Sequence, residues 1–307
     1  MQLDKVEKGQ DIDENWVSPI EEYDGVLYKR DDLFAPFKNG VNGGKARQTV
    51  SLIKLNLNKI KNECNNTVIT ATNVDSPQGV IISTVASHYG IRPIIAFGSA
   101  KGDPEVLKSR NLLVRKAEEA GGDIQVIARA GYTSVINKAL TETAINEDYF
   151  PIKFGMNLNG NKDSIFGVIS NQVQNIPQGL DNLLIPVGSG MIFSAIIKGL
   201  IKYNIKPKRV IGILSGANTM KDIDGYLSED NVCRKGLDDA WGLEDEGRFL
   251  EYELYQSPLG YHDKKFINEP FEFDPIYEVK TKLWFDEHID KSEKSLIWIV
   301  GTQKSMY

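Results

Sequence analysis

Cysteine is nearly absent from this chain: only Cys64 and Cys233 occur, far apart and outside any Cys-x-x-Cys spacing. That scarcity argues against a disulfide framework and against a thiolate metal site. Histidine is as sparse, and His88, His262 and His288 stand apart, so the chain carries no compact His/carboxylate metal motif. His88 falls near an expected helix end and reads as a structural or capping residue, while His262 adjoins Tyr261. An excess of positive charge is missing too. Lys and Arg number 36 against 42 Asp and Glu, a net charge of −6 with a pI near 5.3. This balance opposes broad electrostatic capture of nucleic acid. Long apolar runs are lacking. The opening MQLDKVEKGQDIDENW has no secretory apolar stretch, and no later segment reaches transmembrane length. A cytoplasmic protein with no membrane partner is expected.

What the chain does have is material for burial. Its 307 residues are 41% hydrophobic, with twelve Tyr and twelve Phe, enough for two modest domains with substantial cores. Val50, Ile53, Leu57 and Ile60 recur at helical spacing and predict a helix over 45–61. A strand follows at 67–71, a helix at 78–89 stopped by Gly90, and a strand at 93–97. Asp103-Pro104 opens a helix that Gly121-Gly122 closes, and 124–128 returns to strand character. A second cycle places helices near 164–174 and 192–201 and strands at 183–187, 210–214 and 296–300. The alternation predicts an α/β fold in which parallel sheets are covered by helices. The acidic stretch 222–247 is expected as surface loop.

Four segments could carry chemistry, and each has a plainer reading beside the functional one. Asn42-Gly43-Gly44-Lys45 puts a lysine after a tight turn at a helix start. Desolvated there, its amine would have a lowered pKa and attack an aldehyde; otherwise it is a solvent-facing lysine after a loop. Gly188-Ser189-Gly190 follows the apolar run LLIPV and precedes a helix, which makes either a phosphate cradle or ordinary punctuation. Thr72 to Gly79 joins a strand to a helix and offers Asn73 for a substrate carboxylate, Ser76 for a hydrogen bond or proton relay, and Gln78 beside them. The same residue types serve as turn and cap residues. Finally, Tyr277 and Tyr261 could exchange a proton at a substrate carbon, and Glu278 could bond a pyridine nitrogen; surface turns also contain these residues.

Taken in order, YKRDDL, NGGKAR, SPQGVIISTVASHYG, RNLLVRKAEEAGG, VGSGMIFSAIIKGL, LGYHD and DPIYEVK resemble the fold type II pyridoxal-phosphate enzymes related to tryptophan synthase beta chain. The branch they resemble holds 1-aminocyclopropane-1-carboxylate deaminase and D-cysteine desulfhydrase. The resemblance implies two open twisted sheets covered by helices. It implies a small domain at 58–155 inserted into a larger pyridoxal-phosphate-binding domain made of 1–57 and 156–307. It makes Lys45 the Schiff-base lysine and Ser76 an active-site serine. Gly188, Ser189 and Gly190 then hold the phosphate, Glu278 meets the ring nitrogen, and Tyr261 and Tyr277 stand near the substrate with Asn73 and Gln78. The implied activity is that of a lyase or deaminase on a small amino-acid substrate, in a homodimer.

The chain departs from the family pattern at Pro77, where an asparagine is common, and at Gln48, where the deaminase branch has a phosphate-assisting lysine. Met191 and Ile192 replace the usual glycine and threonine of the cradle. These departures motivate a second reading, a pyridoxal-phosphate decarboxylase or lyase acting on an amino acid attached to thymine in viral DNA hypermodification, in the host cytoplasm. Nucleic acid is a partner only in that reading. A third reading is a degenerate relative that binds without catalysing.

Overall fold

The computed structural model describes residues 3–100, 102–129, 132–156, 162–216, 219–230, 232–235 and 249–301. The chain divides into two compact units, one formed by 15–34 with 166–301 and the other by 3–14 with 35–165. Each unit has its own sheet.

The first unit begins with a hairpin, β1 (Ile20–Tyr23) and β2 (Val26–Arg30). Asp24 at φ +50° and Gly25 at φ +79° form its two-residue turn. Two left-handed central residues match the twist of antiparallel strands, and Asp-Gly is a pair that tolerates them.

The chain then builds the second unit. Helix α1 (Gly43–Glu63) follows Asn42, and Gly43 at φ +81° makes the turn into it. Strand β3 (Thr67–Ala71) leads to α2 (Gln78–His88) and β4 (Arg92–Gly98). The single helix expected from 103 to 120 is two, α3 (Pro104–Arg110) and α4 (Leu112–Glu119). Asn111 separates them with an extended backbone, φ −127° and ψ 116°, closing one helix and opening the other. Strand β5 (Asp123–Ala128), α5 (Thr133–Asn146) and β6 (Phe150–Ile152) complete the unit. All pairs in its sheet, ordered β5-β4-β3-β6, are parallel. Its core sets Ile69, Ala71, Ile94 and Ala96 of the sheet against Ile136, Leu140 and Ala144, one stripe of α5.

Helix α6 (Lys162–Ser170) spans the division at 165/166, and in the first unit it is followed by β7 (Asn182–Val187), α7 (Met191–Lys202) and β8 (Arg209–Leu214). Helix α8 (Met220–Leu227), β9 (Val232–Arg234), β10 (Leu250–Gln256), α9 (Glu278–His288) and β11 (Ser295–Ile299) follow. The sheet runs β1-β2-β11-β7-β8-β10-β9, parallel everywhere except the hairpin. The stretch expected as surface loop over 222–247 therefore contains α8, whose Ile223 and Leu227 are buried; positions 236–248 lie outside the described residues. Leu184, Ile211, Ile213, Ile297 and Ile299 of the sheet pack on Val279, Trp284 and Phe285 of α9.

The domain boundaries drawn from the resemblance differ from this division. Residues 35–57 group with the second unit, because α1 packs on α2 and β3. Among the described residues, no helix is long and apolar enough to cross a membrane.

Candidate active site

The residues singled out in the sequence belong to both units, and the arrangement within each unit is as follows. In the second unit, Lys45 stands in the first turn of α1. Part of the residue reaches solvent, yet desolvation of its ammonium lowers the pKa to about 8. No hydrogen-bond or ion-pair partner holds its Nζ among the described residues. The carbonyl of Lys45 accepts from Thr49 Oγ1 at 2.8 Å, an ordinary bond one turn on. Gln48 follows on α1, 1% exposed, and its Nε2 has no hydrogen-bond partner among the described residues.

The β3–α2 loop carries Asn73, Ser76 and Gln78. Asn73 Oδ1 accepts the Asp75 N–H at 3.0 Å, and its carbonyl accepts the Ser76 N–H at 3.2 Å. Ser76 is 3% exposed, and its Oγ accepts the Gln78 N–H at 3.3 Å, a local bond where the loop meets α2. Pro77 takes the position before α2 with φ −71°, where a missing N–H leaves no helical bond unmade. The departure at Pro77 is therefore compatible with the local fold. Gln78, read as a substrate contact, has its carboxamide engaged internally. Its Nε2 donates to Thr70 Oγ1 at 2.9 Å and to the Lys153 carbonyl at 3.0 Å, and its Oε1 accepts the Gly155 N–H at 3.0 Å. Both donors are spent on joining β3 to the segment after β6.

In the first unit, the residues of interest gather at the carboxyl ends of parallel strands, where α/β sheets commonly present ligand groups. Gly188 and Gly190 follow β7 and open α7. Gly190 adopts φ +81°, and a Cβ there would come within 2.6 Å of Ile223. A Cβ on Gly188 would meet the Tyr277 ring at 3.0 Å. The loop must therefore be small, and the N–H groups opening α7 lack partners within the helix. The Tyr261 and Tyr277 hydroxyls are 2.8 Å apart, with their rings edge to face. Gly216, just after β8, gives Tyr261 its place, since a Cβ would come within 2.5 Å of that ring.

Glu278 is the first residue of α9 and is 0% exposed. Its Oε2 accepts the Asp274 N–H at 2.9 Å and its Oε1 the Gly301 N–H at 2.8 Å. Burial, with the charges of Asp274 and Asp32, holds its pKa well above the usual carboxylate range. Sequence reading gave no role to Asp274 or Lys280. Lys280 Nζ donates to the Ser215 carbonyl at 2.8 Å and the Gly260 carbonyl at 2.7 Å, tying the residue before Tyr261 to the end of β8. The available signal was a lysine two places after Glu278, within the DPIYEVK segment. His88 is buried, with Nε2 at 2.8 Å from the Gln10 carbonyl, in keeping with a structural role.

No protein-family model matches the chain. In sequence it is similar to an O-seryl-dTMP PLP-dependent decarboxylase of Salmonella phage ViI, 25% identical over 342 aligned positions that take in 91% of this chain and 78% of the relative. In structure it is similar to an ACC deaminase homologue, with a TM-score of 0.67, 20% identity, and 97% and 91% of the two chains covered. The O-ureido-L-serine synthase structure matches with a TM-score of 0.57, 14% identity, and 91% and 85% coverage. An O-acetylserine-dependent cystathionine beta-synthase from Helicobacter pylori gives 0.56, 14%, and 91% and 87%. The chain has the type II fold of pyridoxal-phosphate enzymes.

The residues present fit that cofactor. A desolvated amine with no partner among the described residues suits an aldehyde, and a small-residue loop at a helix start suits a phosphate. The buried Gln48 Nε2 is a donor awaiting an acceptor. Burial and neighbouring carboxylates favour the neutral form of Glu278, and a protonated ring nitrogen would be the cation that favours its charged form.

Proposed function

We propose that this chain is a pyridoxal-phosphate-dependent enzyme that removes the α-carboxylate of an amino acid carried on a thymidine nucleotide. Lys45 is the observation that carries the catalytic part: a desolvated amine at the start of α1 with no partner among the described residues and a pKa of about 8. Similarity to the phage decarboxylase along most of both chains supports the substrate class.

Bound here, the cofactor supplies an aldehyde for amines and a ring that takes up the electron pair left at the substrate α-carbon. Lys45 holds it in the resting enzyme and, once free, carries a proton to or from that carbon. Gly188, Ser189 and Gly190 receive the phosphate at the opening of α7, and Glu278 bonds the ring nitrogen. In the reaction the bond between the α-carbon and the carboxylate carbon breaks, carbon dioxide leaves, and the α-carbon gains one proton. Ser76 and Asn73 are assigned to the substrate, and Tyr261 with Tyr277 to proton traffic at its distal part. Action in the cytoplasm, that of the host for a viral chain, and a homodimer belong to the same proposal.

A second reading, deamination of a free amino acid, is favoured by one observation. The paired Tyr261 and Tyr277 hydroxyls, 2.8 Å apart, can pass a proton at a carbon beyond the α position. Mass-resolved assays of the cofactor-loaded protein separate the two, using O-seryl-dTMP beside free D- and L-amino acids. The proposal predicts a nucleotide product lighter by one carbon dioxide. An untouched nucleotide together with a keto acid and ammonia from a free amino acid would replace it with the second reading.

A further inference from the structure

Asp274 is a buried acid to which the proposed reaction gives no work. It is 0% exposed, and its Oδ1 accepts two backbone N–H groups, from Ile276 at 2.9 Å and Tyr277 at 2.8 Å. Its own N–H donates to Glu278 Oε2 at 2.9 Å. One residue thus holds the backbone of Tyr277 and the carboxyl group of Glu278. Its second oxygen, Oδ2, has no hydrogen-bond partner among the described residues. Holding the turn before α9 needs no charge, since the neutral oxygen of Asn or Ser accepts the same N–H groups. Burying a carboxylate with one idle oxygen is costly, so a neutral side chain would be the cheaper solution.

We infer that Asp274 is the positioning residue of this site: its carboxylate holds the backbone of Tyr277, its own N–H holds the Glu278 carboxyl group, and its charge acts on that group. The inference rests on reading Glu278 as the partner of the ring nitrogen, and it names the group that regulates that partner. Charges from neighbouring elements act on the pair. Asp32 acts on Glu278 from the turn after β2, where Arg30 grips it at 2.9 and 2.8 Å. Lys280 of α9 and Lys264 of the preceding loop act on Asp274. After β11, the group facing Glu278 is the uncharged Gly301 N–H. Two carboxyl groups so enclosed ionise in sequence, not together. Burial puts Asp274 at about 6, while Glu278 stays protonated well above the ordinary range. The charge of Asp274 thus adds to burial in favouring the neutral form of Glu278, and a positive group seated beside Glu278 would favour the charged one.

Carboxyl-carbon NMR titration of the cofactor-free protein tests this. Asp274→Asn retains the Oδ1 acceptor and removes only the charge. Glu278 should then ionise at lower pH, by about one unit or more, with the Tyr261 and Tyr277 signals unmoved. Asp274→Ala removes the acceptor as well and should shift the Tyr277 signals. A Glu278 titration that stays put or moves upward in Asp274→Asn overturns the inference. If that variant fails to fold, Glu278→Gln reads the same coupling from the other side. Asp274 must then titrate at or below its position in the wild-type protein, and an upward move overturns the inference. These readouts need no cofactor, so failure to load pyridoxal phosphate would sink the proposed function and leave this result standing. An unmoved Glu278 in a protein that loads normally would sink only this inference.

Discussion

Lys45 shows how one side chain can be costly to the fold and useful to the chemistry. Its ammonium is desolvated and finds no compensating anion among the described residues, so the folded state prefers the neutral amine. The sign follows directly. Between about 8, the folded value, and 10.5, the ordinary one, the unfolded chain binds the extra proton, so stability rises with pH across that window. Below it the penalty is fully present. Lys45→Met should therefore raise the unfolding temperature of the cofactor-free protein at pH 7, with the gain shrinking toward pH 10. Thermal melts at several pH values check this, and a variant no more stable than wild type at pH 7 would remove desolvation as the cause. Asn42-Gly43-Gly44-Lys45 was legible in the sequence because glycines and a lysine before an apolar stripe are local signals. The idle Oδ2 of Asp274 was not, because it depends on what surrounds a side chain, which no local pattern records.

Among the elements, those with clean apolar periodicity were legible, and those with buried polar residues were not. Helix α9 buries Glu278, Lys280 and Thr281 alongside Val279, Trp284 and Phe285, so its inward face has no apolar stripe to read. Strand β10 hides in the same way. Glu253 is buried because Arg209 pairs with it at 3.0 and 3.1 Å, and in the sequence it reads as a solvent residue. Helix α5 is different: Ile136, Leu140 and Ala144 do form a stripe, but polar neighbours dilute it. Close packing between elements is equally invisible in a sequence. Helix α7 passes the end of α6 so closely that a Cβ on Gly199 would lie 2.6 Å from the Ser170 carbonyl oxygen. That oxygen belongs to the backbone and cannot rotate away. Gly199→Ala should cost about 1–3 kcal/mol through overpacking, measured by urea denaturation, and an unchanged midpoint would show that the helices have room to part.

For the molecule as a whole, a low share of cysteine and histidine left few chemical routes, and the order of its motifs narrowed them further. Alternating strands and helices gave the parallel sheets, and the type II fold agrees with that reading. The sequence pattern did not reveal the extent of each unit, because α1 joins the second unit through packing on α2 and β3 and through no break in composition. Fold alone does not choose a reaction; catalysis of the proposed kind requires that Lys45 engage the cofactor. The direct measurement is to load the protein with pyridoxal phosphate, reduce it with borohydride and map the modified peptide by mass spectrometry. One pyridoxyl group is expected on Lys45, with a visible absorption band that disappears on reduction and is absent from Lys45→Ala. A protein that takes up no cofactor, or carries it equally on several surface lysines, would contradict that expectation.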